Sequence, residues 1–204
     1  MIENIIFDFG DVFINLDKEA SMRMVLDRYP DFKMTDKIDA LNMEYEQGQI
    51  STEAFVEAYK KFLPKESDEE LKTIWNAIIQ DFPEYRLEFI EKLSKEGKYK
   101  LFLLSNTNEL HIEQVIKNIS EERFERFKKC FDKFYLSHEI KLRKPNSSIF
   151  EFVLDDNNIT ARETIFIDDT LEHIQTAKNM GFHTWNLIPG KDDVIHLFNK
   201  NILL

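Results

Sequence analysis

The sequence has a single cysteine, Cys130, and no long run of apolar residues. One cysteine cannot close a disulfide within the chain, which is typical of proteins from a reducing compartment, and we expect its thiol to be buried rather than reactive. No stretch approaches the roughly 20 apolar residues of a membrane-spanning helix, and the first residues carry no basic segment of the secretory kind. These absences predict a cytoplasmic protein that is neither secreted nor inserted in a membrane.

Positive charge is also scarce. Lys and Arg number 27 against 38 Asp and Glu, so the formal net charge is −11. A surplus of negative charge is repelled by a polyanionic backbone, and we therefore do not expect nucleic acid as a partner. Hydrophobic residues make up 43% of the 204 residues, enough for a sizeable core in one domain with an insertion or in two small domains. No pattern in the sequence predicts an oligomeric state.

Short apolar runs along the chain are typical of buried parallel strands. They lie at residues 4–7, 99–104, 133–136, 164–167 and 183–187. Helical patterns separate most of these runs, and this alternation predicts an α/β fold with a doubly wound parallel sheet. About ninety residues separate the first two strands, however, where a crossover connection needs only a dozen or so. A separate unit is therefore expected between them.

The residues between the first two strands contain no convincing strand. Their patterns predict helices at 18–29, 35–47, 51–62 and 67–79. Ser67 and Glu70 have the spacing of a capping box, and Ser51 is suited to cap the third helix. We therefore predict a helical cap domain at 16–83, inserted into a core domain that comprises residues 1–15 and 84–204. A core helix at 84–96, ending at Gly97, would follow the cap.

Polar residues lie just beyond four of the predicted strands. Asp8 follows the first strand, Ser105 and Asn106 follow the second, Lys144 lies in the loop after the third, and the pair Asp168-Asp169 follows the fourth. In an open parallel sheet, the carboxyl ends of the strands lie at one edge, where ligands bind. We expect these side chains to outline a single pocket.

Phosphoryl transfer to a carboxylate is the chemistry that needs such a set. A phosphate dianion about 4 Å from Asp8 would be repelled by roughly 4 kcal/mol per charge pair at an effective dielectric near 20. Mg²⁺ relieves this repulsion, and Asp8, Asp169 and a main-chain carbonyl are suitable oxygen ligands for it. Lys144 offers a second cation, while the Ser105 hydroxyl and the Asn106 amide offer donors to phosphate.

Four segments that contain these residues carry a family resemblance. They read "IIFDFGDV", "LFLLSNTN", "RKPNSSIF" and "TIFIDDTLEHIQTAKNMGF". In this order they resemble the four motifs of the haloacid dehalogenase (HAD) superfamily of hydrolases, and the likeness spans nearly the whole chain. The insert lies where that superfamily has its small helical caps. The phrases "LSNTNELH", "YLSHEIKLRKP" and "FIDDTLEHI" are most similar to its α-D-glucose-1-phosphate phosphatase group.

The resemblance implies a Mg²⁺-dependent phosphatase for small phosphorylated metabolites, with a sugar phosphate as the leading substrate class. Asp8 would form an aspartyl-phosphate that water then hydrolyses. Asp8 and Asp169 would be direct metal ligands, and Asp168 would reach the metal through water. Ser105 and Lys144, together with the Asn106 amide, would bind the phosphate.

The sequence departs from the superfamily pattern at Gly10. Most phosphatases of the superfamily have a second aspartate there, which protonates the leaving group and later activates water. Gly10 still offers its main-chain carbonyl to Mg²⁺, so we expect metal binding to survive. Asp11 would face away if this segment were extended, because side chains alternate along a strand. General acid–base catalysis contributes roughly 10²–10⁴-fold, and we expect a slow enzyme or one that recruits water, Asp11 or a cap carboxylate.

Other functions remain open at this stage. A phosphosugar mutase would protect its aspartyl-phosphate from water, and a dehalogenase would need no Mg²⁺. A binding or signalling protein without turnover is a further alternative, which the missing aspartate favours.

Glu46 or Gln47 in the cap is a candidate substrate contact near Gly48. We expect the histidines to be surface or packing residues, since no close pair has ligand spacing: His111, His138, His173, His183 and His196.

Overall fold

The computed structural model describes residues 1–200, apart from the side chain of Lys200. Within these residues one sheet forms, with five parallel strands in the order β3-β2-β1-β4-β5. The strands are β1 (Asn4–Phe7), β2 (Lys100–Ser105), β3 (Lys133–Leu136), β4 (Thr164–Asp168) and β5 (His183–Asn186). The predicted doubly wound parallel sheet is confirmed. Residues 201–204 of the predicted core domain lie outside the described part of the chain.

Helices occupy most of the remaining chain. The segment between β1 and β2 contains α1 (Ala20–Arg28), α2 (Asp36–Glu46), α3 (Thr52–Tyr59), α4 (Asp68–Asn76) and α5 (Glu84–Glu96). The later helices are α6 (Glu109–Ile119), α7 (Glu121–Lys128), α8 (Ser137–Ile140), α9 (Ser147–Asn157) and α10 (Leu171–Asn179). Two 3₁₀ segments lie at Ala161–Glu163 and Val194–Lys200. None of the helices within residues 1–200 is long and apolar enough to cross a membrane.

Alternate residues of each central strand are buried on opposite faces of the sheet. In β1, Ile5 and Phe7 belong to one apolar cluster and Ile6 belongs to another. All of these side chains are fully buried, which explains why the strand reads as a continuous apolar run. With both faces covered by helices, the carboxyl edge of the sheet is where polar side chains collect.

Phenylalanine packs much of the larger cluster. Phe13 lies 5.4 Å from Phe7 and 4.9 Å from Phe127, measured between ring centroids. Such tilted and edge-on ring pairs add about 0.5–1.5 kcal/mol each beyond their buried area. Cys130 is buried in the same cluster, and burial raises the pKa of its thiol to about 11. The expectation of a buried cysteine is confirmed.

The helices α1 to α4 bury an apolar cluster of their own. It contains Val25, Tyr45, Phe55, Val56, Leu63, Leu71 and Ile74, together with Leu110 of α6. The predicted caps are present: the Ser51 side chain accepts from the Ala54 amide, and Ser67 and Glu70 form a capping box. The helices are shorter than predicted by one to three residues at each end.

The two connections to the insert pair with each other. Leu16 and Ile79 form an antiparallel bridge, and the Asn15 amide donates to the Asp81 carbonyl over 2.8 Å. These positions lie near the expected boundaries at 16 and 83. The division of the chain into a cap domain and a core domain stays a prediction.

His111 joins the insert to the core. Its Nδ1 accepts a hydrogen bond from the Asn108 side-chain amide over 3.1 Å, and its Nε2 donates one to the Trp75 carbonyl over 3.2 Å. Its ring stacks on the Trp75 ring, with 5.1 Å between the centroids. The expectation of a packing role is confirmed for this histidine. Burial lowers the pKa of His111 to about 4, although the hydrogen bond to Trp75 opposes the shift.

Acid should therefore weaken the fold through His111. Between pH 6.5 and pH 4 the unfolded chain binds a proton at this residue and the folded protein does not, so the free energy of unfolding falls as the pH falls. The expected loss is about 3 kcal/mol by pH 4. Urea unfolding across this pH range should show that the free energy of unfolding of His111→Gln falls by that much less than in the parent. The same substitution at the exposed His196 should leave the decline as it is in the parent. Parallel declines for the parent and His111→Gln would contradict the assignment.

Gly48 fixes a close contact between the insert and the core. It follows α2 with φ +58°, and a Cβ there would collide with the His138 carbonyl. Around it, the Ser137 hydroxyl donates to the Glu46 carbonyl over 2.6 Å, and Lys141 donates to the Gly48 carbonyl. A side chain at this position would therefore push the insert away from the core.

Gly48→Ala can be compared with Gly97→Ala, since Gly97 has φ +62° and open space around its Cβ position. Both substitutions suffer the backbone strain of a positive φ, of order 1–3 kcal/mol. Only Gly48→Ala adds a steric clash, which should cost about 1–3 kcal/mol more in urea unfolding. Equal losses for the two variants would show that this contact does not hold the insert in place.

Candidate active site

Three carboxylates meet at the carboxyl edge of the sheet. Asp8 follows β1 and Asp168 ends β4, and the two strands are neighbours: the Asp8 amide donates to the Ile167 carbonyl over 2.8 Å. Asp8, Asp168 and Asp169 each offer a carboxylate oxygen, and these atoms all lie within 4.8 Å of one another. The Asp168 side chain is fully buried and Asp169 is 8% exposed. The predicted convergence of strands one and four is present.

Lys144 places its ammonium between two of these acids. Its Nζ lies 2.7 Å from Oδ1 of Asp8 and 2.7 Å from Oδ2 of Asp168, and it donates to the Leu104 carbonyl over 2.8 Å. The side chain is fully buried. Burial opposes its charge, but attraction to Asp168 and Asp8 raises the pKa of Lys144 above its usual value. The lysine is therefore held as a cation inside the site.

Asn106 holds the main chain of Lys144. Its side-chain oxygen accepts from the Lys144 amide and its side-chain nitrogen donates to the Lys144 carbonyl, both over 2.9 Å. Sequence reasoning had expected the Asn106 amide to donate to phosphate, and that role stays a prediction. The contacts made in the structure position Lys144 instead.

Ser105 is the last residue of β2 and lies at the same edge. It pairs in register with Leu136 of β3 and is 3% exposed. Its neighbour Leu104 supplies the carbonyl that accepts from Lys144. The structure thus brings Ser105 to the rim of the carboxylate cluster, and its contact with phosphate stays a prediction.

Asp168 is surrounded by donors, one of which was not expected. Its carboxylate accepts from the Thr170 amide over 2.7 Å and from Lys144, and His173 Nδ1 lies 3.0 Å from Oδ2. Although burial opposes ionisation, Lys144 and His173 lower the pKa of Asp168. The interpretation of His173 as a surface or packing residue was wrong. It lies in the first turn of α10, where its ring faces back to the end of β4.

The turn after β1 also differs from the expected extended segment. Asp11 has φ +55°, and its amide donates to the Ile14 carbonyl over 2.7 Å. The strand alternation that would turn Asp11 away therefore ends at Gly10. Its carboxylate lies 2.9 Å from Lys18 Nζ, and the same ammonium lies 2.5 Å from Asp169. Asp11 is thus linked to the site through Lys18, which sequence reasoning missed.

Gly10 is packed closely at this turn. A Cβ at that position would lie 2.7 Å from Cδ1 of Leu16. The space of a second aspartate is therefore partly taken by an apolar side chain. The main-chain carbonyl of Gly10 as a metal ligand stays a prediction.

The donor set fits a hard divalent cation such as Mg²⁺. The three acidic residues each offer a carboxylate oxygen, and oxygen is the ligand that Mg²⁺ prefers. Burial raises the pKa of Asp8 to about 6, with Asp168 and Asp169 adding to the shift and Lys144 opposing it. A further cation between the carboxylates would counter this shift and keep Asp8 ionised.

Glu46 reaches the site from the insert. It accepts from Arg143 Nη2 over 2.9 Å, and Arg143 directly precedes Lys144. Burial raises the pKa of Glu46 while Arg143 opposes the shift. Gln47 instead accepts a hydrogen bond from Gln49 over 3.2 Å. Substrate contact by either residue stays a prediction, and the geometry favours Glu46.

Comparison with known proteins agrees with this geometry. A family model described as "Hydrolase: haloacid dehalogenase-like hydrolase" matches residues 2–181. A curated relative, the D-ribitol-5-phosphate phosphatase of Bacteroides thetaiotaomicron, is 28% identical over 201 residues, which cover 94% of this chain and 95% of the relative.

Solved structures of similar proteins extend the comparison. The HAD family enzyme bt-2542 of Bacteroides thetaiotaomicron, in complex with magnesium and inorganic phosphate, has a TM-score of 0.81 and 33% identity, covering 97% of this chain and 100% of that chain. A predicted HAD-like family hydrolase from Porphyromonas gingivalis has a TM-score of 0.78 and 29% identity, covering 98% of this chain and 97% of that chain.

Proposed function

Because this chain belongs to the haloacid dehalogenase-like hydrolase family, we propose that it is a Mg²⁺-dependent phosphatase of small phosphorylated metabolites. The observation that carries the proposal is the position of Lys144, whose ammonium lies 2.7 Å from the Asp8 carboxylate and is fully buried. A buried cation against the proposed nucleophile reduces the repulsion that an incoming phosphate would otherwise meet. The D-ribitol-5-phosphate phosphatase among its relatives supports the reaction class.

Asp8 is the proposed nucleophile. One of its carboxylate oxygens is bonded to Lys144, and attack on phosphorus would use the other. The new bond joins the carboxylate oxygen to phosphorus while the bond from phosphorus to the ester oxygen breaks, which gives an aspartyl-phosphate and an alkoxide that takes up a proton. Water then attacks the aspartyl-phosphate, inorganic phosphate leaves, and the Asp8 carboxylate is restored.

Mg²⁺, held by Asp8 and Asp169 with Asp168 acting through water, would supply charge that neutralises the phosphate oxygens. The chain's own residues do the rest. Lys144 reduces the repulsion between Asp8 and the phosphate, Asn106 positions Lys144, and Ser105 donates a hydrogen bond to the phosphate. The leaving alkoxide would take its proton from water, Asp11 or a cap carboxylate, and of these Asp11 is linked to the site through Lys18.

Sugar and sugar-alcohol phosphates are the proposed first substrates. Support comes from the activity of the D-ribitol-5-phosphate phosphatase relative and from the likeness to the glucose-1-phosphate phosphatase group. That subgroup assignment stays a prediction. Gly10 is the one feature that favours the alternatives, a phosphosugar mutase or a phosphometabolite-binding protein without turnover.

Phosphate release from a panel of sugar, sugar-alcohol and nucleotide monophosphates tests the proposal. We expect steady release that requires Mg²⁺ and stops when EDTA removes it. Transfer of phosphate between sugar positions without release would indicate a mutase. Binding without any turnover across the panel would indicate a non-catalytic protein, and metal-independent turnover would contradict the proposed site.

A further inference from the structure

The insert contains a cavity of about 210 Å³. Its walls come from α1 to α4 and the segments next to them, with Leu110 and His111 of α6 closing one side. Apolar and aromatic side chains form most of this lining, and six of them are Val25, Phe55, Val56, Leu63, Ile74 and Trp75. Several are almost completely buried, among them Leu63 and Phe55. The insert is therefore not packed solid at its centre.

Two charged residues connect this cavity to the catalytic edge. Lys18 lines the cavity and its ammonium lies 2.5 Å from Asp169. Glu46 lines it as well and is paired with Arg143, next to Lys144. A phosphate ester with its phosphorus at Asp8 would thus have the cavity next to its organic portion.

Several polar groups in the cavity wall are already engaged within the protein. The Tyr59 hydroxyl donates to Oδ1 of Asn42 over 2.6 Å, and the Ser21 hydroxyl donates to the Ile74 carbonyl over 2.6 Å. Both ring nitrogens of His111 are likewise bonded. A group rich in hydroxyls would have to compete with these bonds, whereas an apolar group would leave them intact.

The volume suits a ring with a short chain. An engineered apolar cavity of about 150 Å³ stays dry and binds benzene. The cavity in the insert is somewhat larger and is lined by Phe55 and Trp75, whose centroids are 4.7 Å apart. Aromatic walls of this kind favour a flat apolar guest.

We infer that the enzyme also hydrolyses phosphate monoesters that carry an apolar, ring-sized group, and that this group lies in the cavity of the insert. The inference rests on the proposed phosphatase activity and adds a substrate class to it. Burial of the ring would supply binding energy away from the reacting phosphorus, which favours such esters over those that lack the ring.

The test compares 2-phenylethyl phosphate with ethyl phosphate, which lacks the ring. In the parent protein, kcat/KM should be at least about tenfold higher for the phenylethyl ester. Val25→Phe, which fills the cavity, should reduce this ratio at least about tenfold. Leu26→Phe is the matched control, since Leu26 is the next residue of α1 and is 38% exposed. It should keep the ratio of the parent.

Equal kcat/KM for the two esters in the parent would overturn the inference. So would a loss in Val25→Phe that is as large for D-ribitol 5-phosphate as for the phenylethyl ester, because the cavity would then hold a polyol. Thermal unfolding with 2-phenylethanol provides a readout that needs no turnover. The alcohol should raise Tm in the parent and in Leu26→Phe but not in Val25→Phe. If that shift is present and no phosphate is hydrolysed, the proposed function fails while the cavity remains an apolar binding site.

Discussion

Asp8→Asn is expected to lower phosphate release by at least about 10⁴-fold. The amide keeps the size of the carboxylate but cannot attack phosphorus, so no aspartyl-phosphate forms. Asp168 lies 2.7 Å from Lys144 as well, so we expect the buried ammonium to stay paired in the variant. Phosphate release at saturating Mg²⁺ is the measurement, with Tm recorded to verify that the variant is folded.

Asp27→Asn on the exposed side of α1 is the matched control, since it makes the same chemical change away from the site. It should retain the activity of the parent. If Asp8→Asn released phosphate at the parent's rate, the nucleophile would have to be another group or a water molecule.

Lys144→Met is expected to lower the free energy of unfolding by about 3–5 kcal/mol in Mg²⁺-free buffer. The ammonium is fully buried and is bonded to Asp8 and Asp168, so its loss leaves two buried carboxylates without their cation. Mg²⁺ should restore part of the lost stability, because it binds the folded site and not the unfolded chain. Urea unfolding with EDTA and with excess Mg²⁺ measures both effects.

Lys98→Met is the control, because Lys98 is 69% exposed and its ion pair with Glu96 lies at the surface. Exposed pairs of this kind are worth about 0–1 kcal/mol. If Lys144→Met lost no more stability than Lys98→Met, the buried ion pairs of Lys144 would not have the importance assigned to them. Phosphate release by Lys144→Met should also be lost, since no buried cation would then reduce the repulsion between Asp8 and the incoming phosphate.

The sheet could be predicted from the sequence because its signals are local. A strand buried on both faces, such as β1 with Ile5 and Ile6 on opposite sides, must be apolar throughout, and this is visible in a single run of letters. The topological rule that reactive groups collect at the carboxyl edge then placed Asp8, Lys144 and Asp169 together.

The missed contacts depend on backbone turns and on distant packing. The direction of the Asp11 side chain follows from its φ of +55°. The alternation of side chains along a strand does not predict such a turn. Lys18 was assigned to the first helix of the insert, but that helix begins at Ala20 and leaves Lys18 free to reach Asp11 and Asp169. The position of His173 five residues after Asp168 was an available signal, since the first turn of α10 faces the strand end.

The cavity of the insert could not be inferred from the sequence for a similar reason. Val25 and Phe55 read as ordinary core residues of amphipathic helices, and nothing in their spacing shows that the helices around them leave space. Whether space remains depends on how α1 to α4 pack against α6, and that packing depends on the shapes of many side chains at once.

The stereochemical course at phosphorus tests the central claim most directly. A phosphorothioate ester made chiral at phosphorus with two oxygen isotopes is hydrolysed in water that carries the third isotope, and the configuration of the released thiophosphate is determined. Transfer to Asp8 followed by transfer to water involves two in-line displacements, so the account predicts net retention. Net inversion would mean that water attacks the substrate directly and that Asp8 is not the nucleophile.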